Sequence, residues 1–90
     1  DTGICAQTIM LSAAEAGYGG CILGSVDRAK VMDNLGIDRE KYSLALVLAL
    51  GRPKETVVLV PVKEDGNIKY YRDKDGIHYV PKRGLEEILI

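Results

Sequence analysis

The run Asp1-Thr2-Gly3-Ile4-Cys5-Ala6-Gln7-Thr8-Ile9-Met10-Leu11-Ser12-Ala13-Ala14-Glu15-Ala16-Gly17-Tyr18-Gly19-Gly20-Cys21-Ile22-Leu23-Gly24 decides how the chain reads. Residues 1–17 predict a helix: they are rich in Ala, contain no Pro, and begin with Asp1 in an N-cap position. Ile4, Cys5, Ile9, Met10, Leu11, Ala13, Ala14 and Ala16 ring most of its circumference instead of forming one stripe. A helix that is apolar nearly all round is buried on most sides. The expectation is therefore a long buried helix, packed between its own sheet and another subunit or a further part of the protein. Gly17 ends it, because the position after a helix C-cap favours glycine. Gly17 to Gly20 then form a flexible turn, and Cys21-Ile22-Leu23-Gly24 is a short apolar segment held between glycines.

Outward from this stretch, Asp27 is placed to cap a short helix over residues 28–35, and Gly36 to end it. The apolar run Ser43-Leu44-Ala45-Leu46-Val47-Leu48-Ala49-Leu50 predicts a central strand buried on both faces, with a helix as the alternative reading of its Ala and Leu content. Residues 57–62 form a short extended stretch. The tail holds two Asp-Gly pairs, Asp65-Gly66 and Asp75-Gly76, around Ile68-Lys69-Tyr70-Tyr71-Arg72, with Ile77-His78-Tyr79-Val80 following, which predicts a hairpin. Leu85 to Ile90 read as a last helical turn or an extended arm. The predicted class is α+β.

Composition narrows the function classes. At 90 residues the chain is one domain or part of one, and residues 1–90 are expected to form a partial single domain. Hydrophobic residues make up 47% of the chain, which is rich for so short a domain and implies surface that something else covers. Charge is uneven, since residues 1–26 carry only Asp1 and Glu15. A net charge of -1 speaks against a nucleic-acid partner. No basic and apolar leader pattern is visible, and the apolar run Ser43 to Gly51 is too short to span a bilayer. Cys5 and Cys21 are not spaced as a metal or redox pair, so reduced thiols and a cytoplasmic location are expected, with no metal.

Several motifs carry two readings. Gly19 and Gly24 have P-loop spacing, but Ser25 stands where Lys is required, and Ile22 breaks a dinucleotide-type glycine pattern. The glycines here make either an ordinary turn or a backbone that approaches a planar ligand closely. Pro81-Lys82-Arg83 is either a phosphate clamp or a solvated charged pair. His78, the single histidine, sits in a hairpin strand without a neighbouring nucleophile and reads as structural or solvent-facing. Cys21 has no flanking cation to lower its pKa, so a small buried apolar role is expected. Tyr70 and Tyr71 read as sheet residues, with a border to a flavin or a partner as the alternative.

Taken in order, these segments resemble the nitroreductase family. The Asp1, Ala6-Gln7, Leu11-Ser12-Ala13, glycine turn and Cys21-Ile22-Leu23-Gly24 sequence is similar to that family's central helix and following loop. Leu50-Gly51-Arg52-Pro53 resembles its next strand and Gly-x-Pro, and the tail from Ile68 to Arg83 resembles the C-terminal end of a bacterial subgroup. The resemblance implies the C-terminal half of a nitroreductase-like domain, a mixed sheet flanked by helices. It implies FMN as cofactor, with the backbone of Cys21, Ile22, Leu23 and Gly24 against the flavin ring. Leu23 and Gly24 would be the leading N–H donors, and Lys82 and Arg83 would contact the FMN phosphate. It implies a homodimer with flavin at the subunit interface, an arm over 85–90 that reaches the partner, and a missing N-terminal half that supplies further phosphate ligands. The implied activity is hydride transfer from NAD(P)H to nitro compounds, quinones or similar small acceptors, with no catalytic side chain named. The alternatives are a non-catalytic flavin-holding or interaction module and an inactive fragment of the enzyme.

Overall fold

The computed structural model describes residues 1–90, and the chain divides into two compact units, Asp1–Arg52 and Pro53–Ile90. The first unit contains α1 (Thr2–Glu15), β1 (Gly19–Leu23), α2 (Arg28–Asn34) and β2 (Val47–Gly51). The second contains β3 (Val57–Pro61), β4 (Tyr71–Arg72), β5 (His78–Lys82) and a single helical turn, α3 (Leu85–Ile88). Helices with separate short sheets make the chain α+β, as its sequence predicts.

Both helices of the first unit end in the same way. Gly17, at φ 83°, follows α1, with its N–H donating to the Ala14 carbonyl and the Tyr18 N–H to the Ala13 carbonyl. Gly36, at φ 68°, follows α2, with its N–H donating to Asp33 and the Ile37 N–H to Met32. This is the Schellman arrangement, which uses a left-handed residue to satisfy the last carbonyls. At the other end of α2, the Asp27 carboxylate accepts from the Lys30 N–H at 3.1 Å, the N-cap contact expected from its position. Asp1 occupies the N-cap of α1 without a side-chain hydrogen bond.

Helix α1 corrects the expectation of a long buried helix. Among its residues only Ala6 is buried, while Ile4 is 71% and Leu11 61% exposed. The reason lies in the partner it is given. A helix apolar all round needs cover all round, and within this unit α1 packs chiefly on β1. Its hydroxyls turn inward on the helix itself: Thr8 donates to the Ile4 carbonyl and Ser12 to the Thr8 carbonyl, so neither needs a solvent partner.

The predicted strand over Ser43 to Leu50 also changes. It begins at Val47 and pairs antiparallel with β1 in a two-stranded sheet, with Gly19 opposite Gly51 and Leu23 opposite Val47. It is not central, and Leu50 is half exposed. The carbonyls of Leu44 and Ala45 accept from Arg28 rather than from a strand, which takes the first part of the run out of the ladder. At Gly20 the backbone comes so close to Met10 and Leu50 that a Cβ there would lie 2.7 Å from atoms of both side chains.

In the second unit the strand order is β3-β5-β4, with β3 parallel and β4 antiparallel to β5. The sheet is therefore mixed, and the predicted hairpin is present over the second Asp-Gly pair. Pro81 lies in the middle strand, yet β4 pairs only with His78 and Tyr79, so Pro81 sits where β5 has a neighbour on one side alone. The hairpin is organised by Asp73. Its Oδ1 accepts from the N–H groups of Asp75 and Ile77 at 2.9 and 3.0 Å, and its Oδ2 accepts from the Tyr79 hydroxyl at 2.9 Å. Tyr79 in turn stacks on Tyr71 across the strands, ring centroids 5.0 Å apart.

Burial pushes the Asp73 carboxyl up, but the hydrogen bonds from Ile77, Tyr79 and Asp75 outweigh this and hold it below its ordinary value. The hydrogen bond to Asp73 raises the Tyr79 phenol, with burial and the Asp73 charge adding to it. A carboxyl with a lowered folded pKa contributes stability above its unfolded value that is lost on acidification. The hairpin is therefore expected to hold its full stability above pH 3.8 and to lose this contribution as pH falls from there through the lowered Asp73 value. Tyr79→Phe is expected to move the Asp73 titration, followed by NMR, up toward 3.8, and an unchanged titration would remove the phenol from this account. Separately, Asp27→Ala is expected to cost about 1 kcal/mol in denaturant unfolding, because the α2 N-terminus is then uncapped.

Candidate functional site

The Cys21–Gly24 segment is built by the turn that ends α1 and by the β1–β2 ladder. Cys21, Ile22 and Leu23 are strand residues opposite Ala49, Leu48 and Val47. Cys21 is an exposed free thiol, which corrects its expected buried role; the two-stranded sheet offers no layer to cover it. Cys5 is likewise free and exposed. Gly24 leaves the ladder. Its N–H has no acceptor among the backbone bonds outside helices and strands, and no atom lies within 4 Å of where a Cβ would stand. A glycine whose Cβ side is open lets a planar ligand approach its backbone closely.

The carbonyl side of the same residue is fixed. Arg28 donates from Nη2 to the Gly24 carbonyl at 3.3 Å and to the Ala45 carbonyl at 3.4 Å, and from Nε to the Leu44 carbonyl at 3.0 Å. One guanidinium thus ties the loop after β1 to the segment before β2. Its planar fork suits this task, and a lysine would present one point donor instead. Nothing in the sequence singles out Arg28. Its carbonyl partners at 44 and 45 lie 16 and 17 residues away, so no local pattern marks it.

Lys82 and Arg83 lie in the second unit, at the end of β5 and just beyond it. Neither is engaged in an ion pair. They line a cleft of about 280 Å³ with Leu59, Pro61, Glu86 and Glu87. One of those carboxylates is occupied locally, since Glu87 accepts from the Gly84 N–H at 3.2 Å and so caps α3. Two unpaired cations at a concave surface can hold an anionic group. The two groups of predicted site residues thus fall in different units, Cys21 to Gly24 in the first and Lys82 with Arg83 in the second.

His78 is structural. Its Nδ1 lies 3.5 Å from Glu55 and 3.5 Å from Arg72, which itself pairs with Glu55 at 2.9 Å. Its Nε2 is buried without a hydrogen-bond partner, and Tyr70 meets the ring edge-on at 5.0 Å. No group of three or more His, Cys, Asp or Glu residues is placed to hold a metal ion. No helix is long and apolar enough to cross a membrane.

The arrangement is an α+β chain in which a glycine-bounded loop follows β1, with a Gly24 N–H that makes no backbone hydrogen bond. The model of the Nitroreductase family matches residues 1–52, the whole of the first unit, and the chain belongs to that family of flavin-type oxidoreductases. No curated protein matches the chain.

If Arg28 fixes the loop, Arg28→Ala should speed amide hydrogen exchange at residues 24–26 and 44–46 by more than about fivefold, while the α1 interior keeps its protection. Equal exchange in both proteins would show that the ladder alone sets the loop.

Proposed function

We propose that this chain forms part of an FMN-dependent oxidoreductase that passes hydride from NAD(P)H to nitro compounds, quinones or similar small acceptors. The observation that carries the reading is the family match over residues 1–52, which includes the glycine-bounded loop with its open Gly24 N–H. When bound, FMN supplies the hydride chemistry, and the protein supplies orientation and electrostatics.

The residues present fit that cofactor. The backbone of Cys21, Ile22, Leu23 and Gly24 lies along the flavin ring, with Gly24 as donor and Arg28 holding its carbonyl away from the ligand. Lys82 and Arg83 hold the phosphate, for which their lack of ion-pair partners leaves them free. No side chain of this chain takes a catalytic proton in this reading. The exposed apolar surface of α1, including Ile4 and Leu11, is covered by a second subunit or by the rest of the protein, which also contributes further flavin ligands. By this reading residues 1–90 alone do not make a working enzyme, and the protein acts in the cytoplasm.

The test is FMN affinity in the intact polypeptide, read from flavin fluorescence. Replacing both cations, Lys82→Ala with Arg83→Ala, is expected to weaken binding by about 1.5–3 kcal/mol for each cation removed from the phosphate. Unchanged affinity would overturn the phosphate assignment. Bound flavin that NAD(P)H fails to bleach would favour a flavin-holding module without turnover.

A further inference from the structure

A second concave surface in the Pro53–Ile90 unit is built from residues that the proposed flavin contacts do not use. It encloses about 450 Å³, within the range of small-molecule sites, and its apolar wall comes from Val60, Pro61 and Pro81. Tyr71 supplies the aromatic part of the lining, and Lys63 and Lys69 its two cations.

The wall is held in place before any ligand arrives. Tyr71 stacks on Tyr79, and the Tyr79 hydroxyl is fixed by Asp73 at 2.9 Å. Pro61 and Pro81 have little freedom to lose, and Pro81 is buried. The segment between the lysines is ordered by two side chains that accept from backbone: Asp65 from the Asn67 N–H at 2.9 Å, and Asn67 from the Lys69 N–H at 3.0 Å. Neither Lys63 nor Lys69 forms an ion pair. With Asp65 as the one carboxylate in the lining, the surface carries a single net positive charge.

An apolar and aromatic lining of net charge +1 selects a ligand with a flat apolar body and one negative charge. We propose that this cleft binds a small aromatic carboxylate, its ring against Tyr71 and the two prolines and its carboxylate between Lys63 and Lys69. Inorganic anions lack the body, and neutral aromatics leave both ammonium groups without a partner.

The experiment is a ¹⁵N NMR titration of the 90-residue chain with benzoate, using benzyl alcohol and acetate as controls. Benzoate should shift the amide signals of Lys63, Asn67, Lys69 and Tyr71 saturably in the millimolar range, as expected for so small a ligand. Both controls should bind at least about tenfold more weakly, since each lacks one half of the recognition. Lys69→Gln should weaken benzoate binding severalfold. Asp65→Asn, which keeps the turn acceptor and removes the opposing charge, should strengthen it. That pair of opposite effects cannot come from a general loss of folding. The proposal is overturned if benzoate and benzyl alcohol bind alike, if the shifts centre on Lys82 and Arg83, if no saturable shift occurs, or if Asp65→Asn leaves the affinity unchanged.

Discussion

Very little of this chain is withdrawn from water. Ala6, Met32 and Pro81 are its only buried residues and no large side chain is fully buried, so apolar packing inside either unit is thin. The shape is set instead by directed hydrogen bonds, each with a fixed geometry: the two Schellman turns, the Asp27 cap, the Arg28 fork and the Asp73 hub. Such bonds are individually worth little net stability, because water competes for the same groups. What they supply is placement. The loop after β1 keeps its direction because three carbonyls share one guanidinium, and the hairpin keeps its rings stacked because one carboxylate gathers two amides and a phenol.

The thin core and the exposed α1 belong together. Ile4, Leu11, Ile22 and Leu50 stay accessible because a two-stranded sheet is too narrow to cover them. Large exposed apolar patches mark surfaces that something else covers. In the proposed reading, a second subunit or the rest of the protein packs on the surface that residues 1–52 leave open.

The chemistry divides along similar lines. The first unit presents a glycine-bounded backbone segment whose carbonyl side is held by Arg28. The second unit presents Lys82 and Arg83 outside any ion pair, while its Arg72 is paired with Glu55, and free cations suit anionic groups. Backbone donors keep their position whatever the side chains do, so the proposed contact with the flavin would tolerate changes at Cys21, Ile22 and Leu23 provided the ladder and Arg28 survive. Cations on flexible stems carry no such guarantee, and here they stand beside a proline and next to a carboxylate already committed to capping α3.

Local features are legible from residue type alone. Gly17 and Gly36 as helix stops, Asp27 as a cap, the Asp75-Gly76 turn and the order of segments that resembles nitroreductases all follow from residue type at short separation, where sterics and single hydrogen bonds decide. Cys21 to Gly24 and Lys82 with Arg83 stand out as site candidates for the same reason. What those features face depends on the folded chain. The all-apolar circumference of α1 implies burial, but burial depends on which neighbours exist, and the first unit covers only one side. The start of β2 moves from Ser43 to Val47 because a distant arginine takes two of the carbonyls. Arg28, the Asp73–Tyr79 pair and the Tyr71 wall depend on groups brought together from separate strands and loops, and no local rule of spacing or propensity encodes such meetings.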